Sequence, residues 1–286
     1  MSKKNKQSTN SLKIPKLIVV SATFLDAIST KLATRFAAKI FTTPLKHAMP
    51  NREKAMDTHS IQSKIRISSI KKEIVVYQYG VGIKKVLFVH GWSGRGTQMF
   101  KIADAFLSEG YQVISFDAPS HGKSPGNTTI MVEFIAAILA MDKEFGPFEA
   151  AVGHSLGGMA LMNALNSGFQ VKKLVTIGSG DKVADIATDF ILKIGLKVKH
   201  VALLISFFEK KYSKSMDALS SFQNAQKIEI PVLVIHDIND KEVPISCGNN
   251  IVKHLKNGTL LTTTGLGHRK ILGDSNVADS VVEFVI

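Results

Sequence analysis

The sequence predicts an α/β fold: a mostly parallel sheet with helices on both faces and a small helical cap. Three observations carry that reading. From residue 84 onward, short apolar runs alternate with stretches of helical spacing. The runs are continuous in apolar residues rather than alternating, as strands buried on both faces are. Near the end, about 50 residues of apolar helical sequence interrupt the alternation, which is too long for a structureless loop.

At 286 residues, 45% of them hydrophobic, the chain is long enough to bury one large core or two small ones. The single cysteine, Cys247, excludes an internal disulfide and fits a reducing, cytoplasmic setting. The net charge of +13 is not evenly spread. Residues 1–85 hold 17 Lys and Arg against 4 Asp and Glu, and the rest of the chain balances. No aromatic residue interleaves with the lysines of "MSKKNKQSTNSLKIPK", so stacking on single strands has no support and no nucleic-acid partner is expected.

Taken in order, residues 1–15 read as disordered and 16–41 as one amphipathic surface helix. Phe24, Ile28, Leu32, Phe36 and Ile40 recur every four residues, with Lys31, Arg35 and Lys39 off that stripe. The stripe is expected to dock on the protein's own domain, with peripheral contact to a membrane surface as the alternative. No run of about 18 apolar residues predicts a span. "TTPLKHAMPNREK" reads as a linker. The division is a basic N-terminal segment, 1–60, and a main domain, 61–286, with the cap at about 181–224.

The main domain opens on "KIRISSI" and "EIVVYQYG", an antiparallel pair at a sheet edge. "KKVLFVHG", "YQVISFDAP", "FEAAVGHS", "VKKLVTIGSG", "IPVLVIHD" and "GTLLTTTG" are the strands that follow. "MFKIADAFLSEG", "TTIMVEFIAAILAMDKEFG", "LGGMALMNALNSG" and "NVADSVVEFVI" are helices. The insert between "LVTIGSG" and "IPVLVIHD" is expected to lie over the carboxyl edge of the sheet, its residues 181–210 forming an apolar pocket.

Chemistry concentrates at "G-H-S-L-G", residues 153–157, where a strand hands over to a helix. The pattern places Ser155 on a sharp turn with its hydroxyl raised above the sheet. On five residues alone, helix capping is the stronger reading. A serine nucleophile needs a base, and the base needs an orienting acid. Both follow, each just after a strand: Asp237 or Asp240 in "VLVIHDINDKEVP", and His268 in "TTTGLGHRKIL". An oxyanion hole needs waiting N–H donors. The N–H of Trp92, after "LFVHG", and that of Leu156, at the helix start, are the candidates.

Rival patterns fail on their own terms. "HGKS" lacks the leading glycine of a phosphate loop, since position 117 is Asp, and "GVG" at 80–82 lacks a third glycine. The nine histidines form no close pair, so no metal site is argued, and no cofactor is expected.

"HGWSG", "DAPSHGKS", "GHSLGG", "HDINDKEVP" and "GLGH" together resemble the α/β-hydrolase superfamily, across roughly residues 74–286. The resemblance implies Ser155 as nucleophile, His268 as base and Asp240 as acid. Asp240 is preferred because similar sequences carry the acid three residues before a Val-Pro pair, here Val243-Pro244. Asp237 stands where the family more often has glycine, and stays as the alternative acid. "DAPSHGKS", with Asp117 and Gly122, resembles a structural turn. Relatives that open epoxides or remove halides use an aspartate at the elbow, so Ser155 points to acyl chemistry. The implied activity is a serine hydrolase of carboxylic esters or thioesters, working on a small-molecule acyl substrate through an acyl-enzyme. Acyl transfer on the same triad and a non-enzymatic ligand-binding role are the alternatives.

Overall fold

The fold comes from a computed structural model that describes residues 14–286, so most of the 1–15 segment lies outside the described residues. In chain order the elements are α1 (Lys16–Ile28), α2 (Thr30–Phe41), α3 (Lys54–His59), β1 (Ile61–Ile67), β2 (Lys72–Tyr79), β3 (Lys85–Val89), α4 (Phe100–Ser108) and β4 (Gln112–Asp117). Next are α5 (Met131–Phe145), β5 (Phe148–His154), α6 (Leu156–Leu165), β6 (Val171–Ile177), α7 (Val183–Lys193), α8 (Lys199–Tyr212) and α9 (Ser221–Ala225). The chain closes with β7 (Val232–Asp237), α10 (Ile245–His254), β8 (Gly258–Thr263), α11 (Gly267–Lys270) and α12 (Ser275–Val285).

The eight strands form one sheet in the order β1-β2-β4-β3-β5-β6-β7-β8. β1 pairs with β2, and β2 with β4, antiparallel; every other pair is parallel. Strand order reverses at β3, with β4 on one side and β5 on the other. Open α/β sheets hold their ligands at such a switch point, beyond the carboxyl ends of the strands. The turns after β3 and β5 meet there.

Alternation within each buried strand feeds two core layers. Val86 and Phe88 of β3 join Val152, Val175 and Ile235 against Ile102 and Phe106 of α4 and Val277 and Val281 of α12. Leu87 and Val89 turn the other way, with Ile114 and Phe116, against Phe134 and Ile138 of α5 and Met159 of α6. Helices therefore cover both faces.

Four features depart from the sequence reading. The helix expected over 16–41 is two helices, because Ser29 is extended at φ −160°, ψ 122°. Ile28, Ser29 and Thr30 are a run of weak helix formers, and nothing there resists the break. The face that docks is the small-residue face: Ala22, Ala33, Ala37 and Ala38 are buried, whereas Phe24, Ile28 and Leu32 of the expected stripe are exposed. Within the stretch read as linker, a turn of 3₁₀ helix begins at Asn51 and runs into α3. Finally, α10 carries no helical signal, since its centre reads Cys247-Gly248-Asn249-Asn250. Gly248 is there because His236 packs on it: a Cβ would sit 2.9 Å from the imidazole Nδ1.

The insert after β6 is α7, α8 and α9, and it packs against the front of the chain. Asp26 of α1 accepts a hydrogen bond from His200 of α8 at 2.9 Å. Phe41 of α2 meets Phe190 and Phe208 with ring centroids 5.0 and 5.6 Å apart. Ile191, Leu204 and Phe208 are buried in the same layer as Ala33 and Ala37. The insert thus spends part of its apolar surface on α1 and α2.

Candidate active site

The turn from β5 into α6 is the tightest at the switch point. Ser155 sits at φ 51°, ψ −117°, a strained conformation for a residue with a side chain. Its N–H is anchored to Ile177 O at 2.8 Å. Glycines permit the approach. A Cβ on Gly157 would lie 2.1 Å from Val89 O, one on Gly153 2.6 Å from Gly158 N, and one on Gly91 3.0 Å from Ser155 Cβ. The Ser155 side chain makes no capping hydrogen bond to α6. The capping reading of this serine therefore has no bond to rest on, and the hydroxyl is left for other work.

His268 lies in α11, just past β8, behind Gly265 and Gly267, both left-handed at φ 81° and 64°. Its Nδ1 donates to Asp240 Oδ2 at 2.7 Å. The pair packs on Gly178, where a Cβ would be 3.2 Å from His268 Nδ1 and 3.5 Å from Asp240 Oδ2. Gly178 directly follows Ile177, the residue that anchors Ser155. No hydrogen bond joins Ser155 Oγ to His268 among the described residues; such contacts commonly close only when substrate binds.

The two candidate acids separate by their partners. The Asp240 side chain, 1% exposed, also accepts from the N–H groups of Glu242 and Val243 at 2.8 and 2.9 Å. Burial pushes its carboxyl up, but His268 and these two amides outweigh burial and hold it below the usual range. Asp237 accepts instead from Thr263 Oγ1, Leu266 N and Asn239 N, at 2.8, 3.0 and 2.9 Å. It ties the ends of β7 and β8 together and makes no hydrogen bond to His268.

Trp92 follows β3. Among the described residues, neither its N–H nor that of Leu156 donates to a protein acceptor. Two unpaired amides beside the serine can hold a negatively charged oxygen. The turn carrying Trp92 is fixed by a histidine that carries no sequence signal. Ser93 N donates to His121 Nε2 at 3.0 Å, while His121 Nδ1–H donates to Pro119 O at 3.1 Å. His90 repeats the arrangement between Ala118 N and Gly91 O. His154 donates from Nε2 to His268 O at 2.9 Å and so holds the loop that presents the imidazole. Burial lowers all three histidines, His121 to about 4 and His154 to about 3, so each stays neutral with one donor and one acceptor. The only mark these residues carry in sequence is adjacency to the strand-end turns.

Asp117 accepts from Gly96 N, Lys123 N and Tyr77 Oη at 2.7, 2.7 and 2.8 Å. Gly122, at φ 45°, leaves room for its carboxylate, which a Cβ would meet at 2.2 Å. A cavity of about 210 Å³ near this turn is lined by Leu45, His47, Tyr77, Ser93 and Arg95 among others. A second, of about 390 Å³, is lined by Lys39, Thr43, Pro44, Lys46, Ser120 and Asn127. Between them they are lined by α2, the linker, β2 and the turns after β3 and β4, and neither takes a residue from 181–210. Among the described residues no group of three or more His, Cys, Asp and Glu side chains could hold a metal ion.

Comparison with known proteins bears on the family and the fold. The model of the alpha/beta hydrolase family matches residues 86–224, and that of the TAP-like protein matches 213–286. A search of curated proteins finds no match. Among solved structures, an esterase from Exiguobacterium antarcticum is similar at 16% identity and TM-score 0.63, over 79% of this chain and 99% of that one. Est1E from Butyrivibrio proteoclasticus, with ferulic acid bound, is 19% identical at TM-score 0.60, over 78% and 97%. A bromoperoxidase from Bacillus anthracis is 16% identical at TM-score 0.61, over 79% and 99%. At such identities the likeness speaks for the fold alone. The chain belongs to the α/β-hydrolase superfamily.

Proposed function

We propose that this chain is a serine hydrolase that cleaves carboxylic ester or thioester bonds of small molecules through an acyl-enzyme. The observation that carries the reading is the 2.7 Å Asp240–His268 bond packed on Gly178, beside the strained turn of Ser155. Esterases among the similar structures support it, and the bromoperoxidase leaves the substrate open.

Ser155 Oγ attacks the acyl carbon, and its proton passes to His268 Nε2. Asp240 keeps the other ring nitrogen protonated and stabilises the imidazolium. The carbonyl electrons move onto oxygen, where the N–H groups of Trp92 and Leu156 meet the charge. Collapse of this intermediate expels the alcohol or thiol, which takes the proton back from His268. Water then gives a proton to His268 and attacks the acyl carbon, releasing the acid and restoring Ser155. The proton transfers are worth about 10²–10⁴-fold, and one oxyanion donor about 10²–10³-fold.

The test is a panel of p-nitrophenyl esters of rising chain length, run on wild type and Ser155→Ala, with an alcohol or thiol added in a parallel series. Hydrolysis that falls by about 10⁴-fold or more in the variant supports the reading. Equal rates in the two proteins overturn it, and acyl product on the added nucleophile in place of free acid makes the chain a transferase.

A further inference from the structure

We infer that the outward face of α1 is a docking surface for an anionic lipid bilayer, entered by Leu17, Val20, Phe24 and Ile28. These four side chains stand at helical spacing on one side of α1 and are 76, 62, 64 and 61% exposed. A 13-residue helix that faced only water would carry charge on that side. The ionisable residues of α1 are Lys16, in its first turn, and Asp26, and Asp26 points inward to His200. The inward face is otherwise closed: Ala22 is fully buried, and Val19 lies against Gly195, where a Cβ would come within 2.8 Å of its Cγ1.

The apolar surface does not stop at α1. Leu32 on α2 is 43% exposed, and Leu192 and Val198, flanking Gly195 in the α7–α8 connection, are 52 and 61% exposed. Contiguous apolar surface of this kind on a folded domain marks an interaction site. Its surroundings say which partner. The first 41 residues hold eight Lys and Arg and one acidic residue, Asp26. Exposed Lys31 and Arg35 follow on α2 and Lys197 borders the cap end, where Lys193 and Lys199 already pair with Asp189 and Asp26. A second copy would bring the same positive charges face to face, whereas the headgroups of an anionic leaflet neutralise them at about 1 kcal/mol per residue. With about 20 Å of length, α1 is too short to cross a bilayer and suited to lie in its surface.

The experiment is co-sedimentation of the full chain with vesicles of phosphatidylcholine and phosphatidylserine, and with vesicles of phosphatidylcholine alone. Wild type is expected to pellet with the mixed vesicles and far less with phosphatidylcholine. Binding should weaken as salt rises from about 0.1 M to about 0.5 M. The double variant Phe24→Ser, Ile28→Ser loses two largely exposed side chains and little packing, and its partition is expected to fall about a hundredfold. Ester hydrolysis in solution should stay unchanged, which separates this surface from the catalytic reading. Equal binding of the variant, or equal pelleting with both vesicle types, overturns the inference. So does a wild-type dimer in sedimentation velocity that the double variant converts to monomer.

Discussion

Asp237 and Asp240 lie three residues apart, both buried, and their partners give them different work. Asp240→Asn leaves the packing in place but removes the acceptor that keeps His268 Nδ1 protonated. We expect kcat for ester hydrolysis to fall about 10³–10⁴-fold with little change in melting temperature. Asp237→Asn costs stability, because Thr263 Oγ1, Leu266 N and Asn239 N lose a charged acceptor, while kcat changes far less. A large kcat loss in the Asp237 variant with Asp240→Asn unaffected would reverse the assignment. Linkage has a definite sign here. The Asp240 carboxyl is held below its ordinary value, so its contribution to stability is present above about pH 4 and is lost as pH falls through the lower folded value. Ser155, Asp240 and His268 stand out in the sequence because each follows an apolar strand and they come in a consistent order. His90, His121 and His154 do not, because a lone histidine shows its purpose only once its ring partners are in place: both nitrogens for His90 and His121, Nε2 alone for His154.

At the scale of elements, close backbone approach at the β5–α6 turn rests on glycine. A Cβ on Gly157 has nowhere to go, since the atom it meets is the carbonyl oxygen of Val89 in the centre of the sheet. Gly157→Ala is expected to cost about 2–4 kcal/mol in urea unfolding. Gly248→Ala presses on a side chain, the His236 ring, at 2.9 Å rather than on backbone at 2.1 Å, and is expected to cost less. Equal costs would mean that α6 is free to shift away from β3. The strands were readable for a physical reason: a strand buried on both faces must be apolar throughout, and little else in a chain of this composition looks the same. The two front helices were harder to read. Periodicity locates a stripe of large apolar residues but does not say whether protein covers it, and here the covering falls to alanines, which allow α2 to approach α8 closely. The missed α10 is held by tertiary contact through Gly248, which propensity cannot register.

The whole molecule joins a sheet whose strand order reverses at β3 to a helical layer built from both the front of the chain and the insert after β6. At this scale the buried histidines contribute to the response to acid. His121 and His154 stay neutral in the fold down to about pH 4 and 3, while in the unfolded chain they take up protons near pH 6.5. The unfolded state therefore binds more protons as pH falls, and stability declines through that window. The melting temperature should drop between about pH 7 and about pH 5, with a shallower slope in His121→Asn; a flat wild-type profile would contradict the neutral state assigned to these histidines. Among the described residues no helix is long and apolar enough to cross a membrane, so lipid contact through α1 is a surface event that leaves the site at the switch point formed in either state. The claim on which the enzymatic account turns is that the Ser155 hydroxyl is a nucleophile activated by His268. Intact-mass measurement after treatment with a fluorophosphonate addresses it directly. One adduct per chain, mapped to Ser155, absent in Ser155→Ala and strongly slowed in His268→Ala, is the predicted result. An unlabelled wild-type chain, or equal labelling in all three proteins, would contradict it.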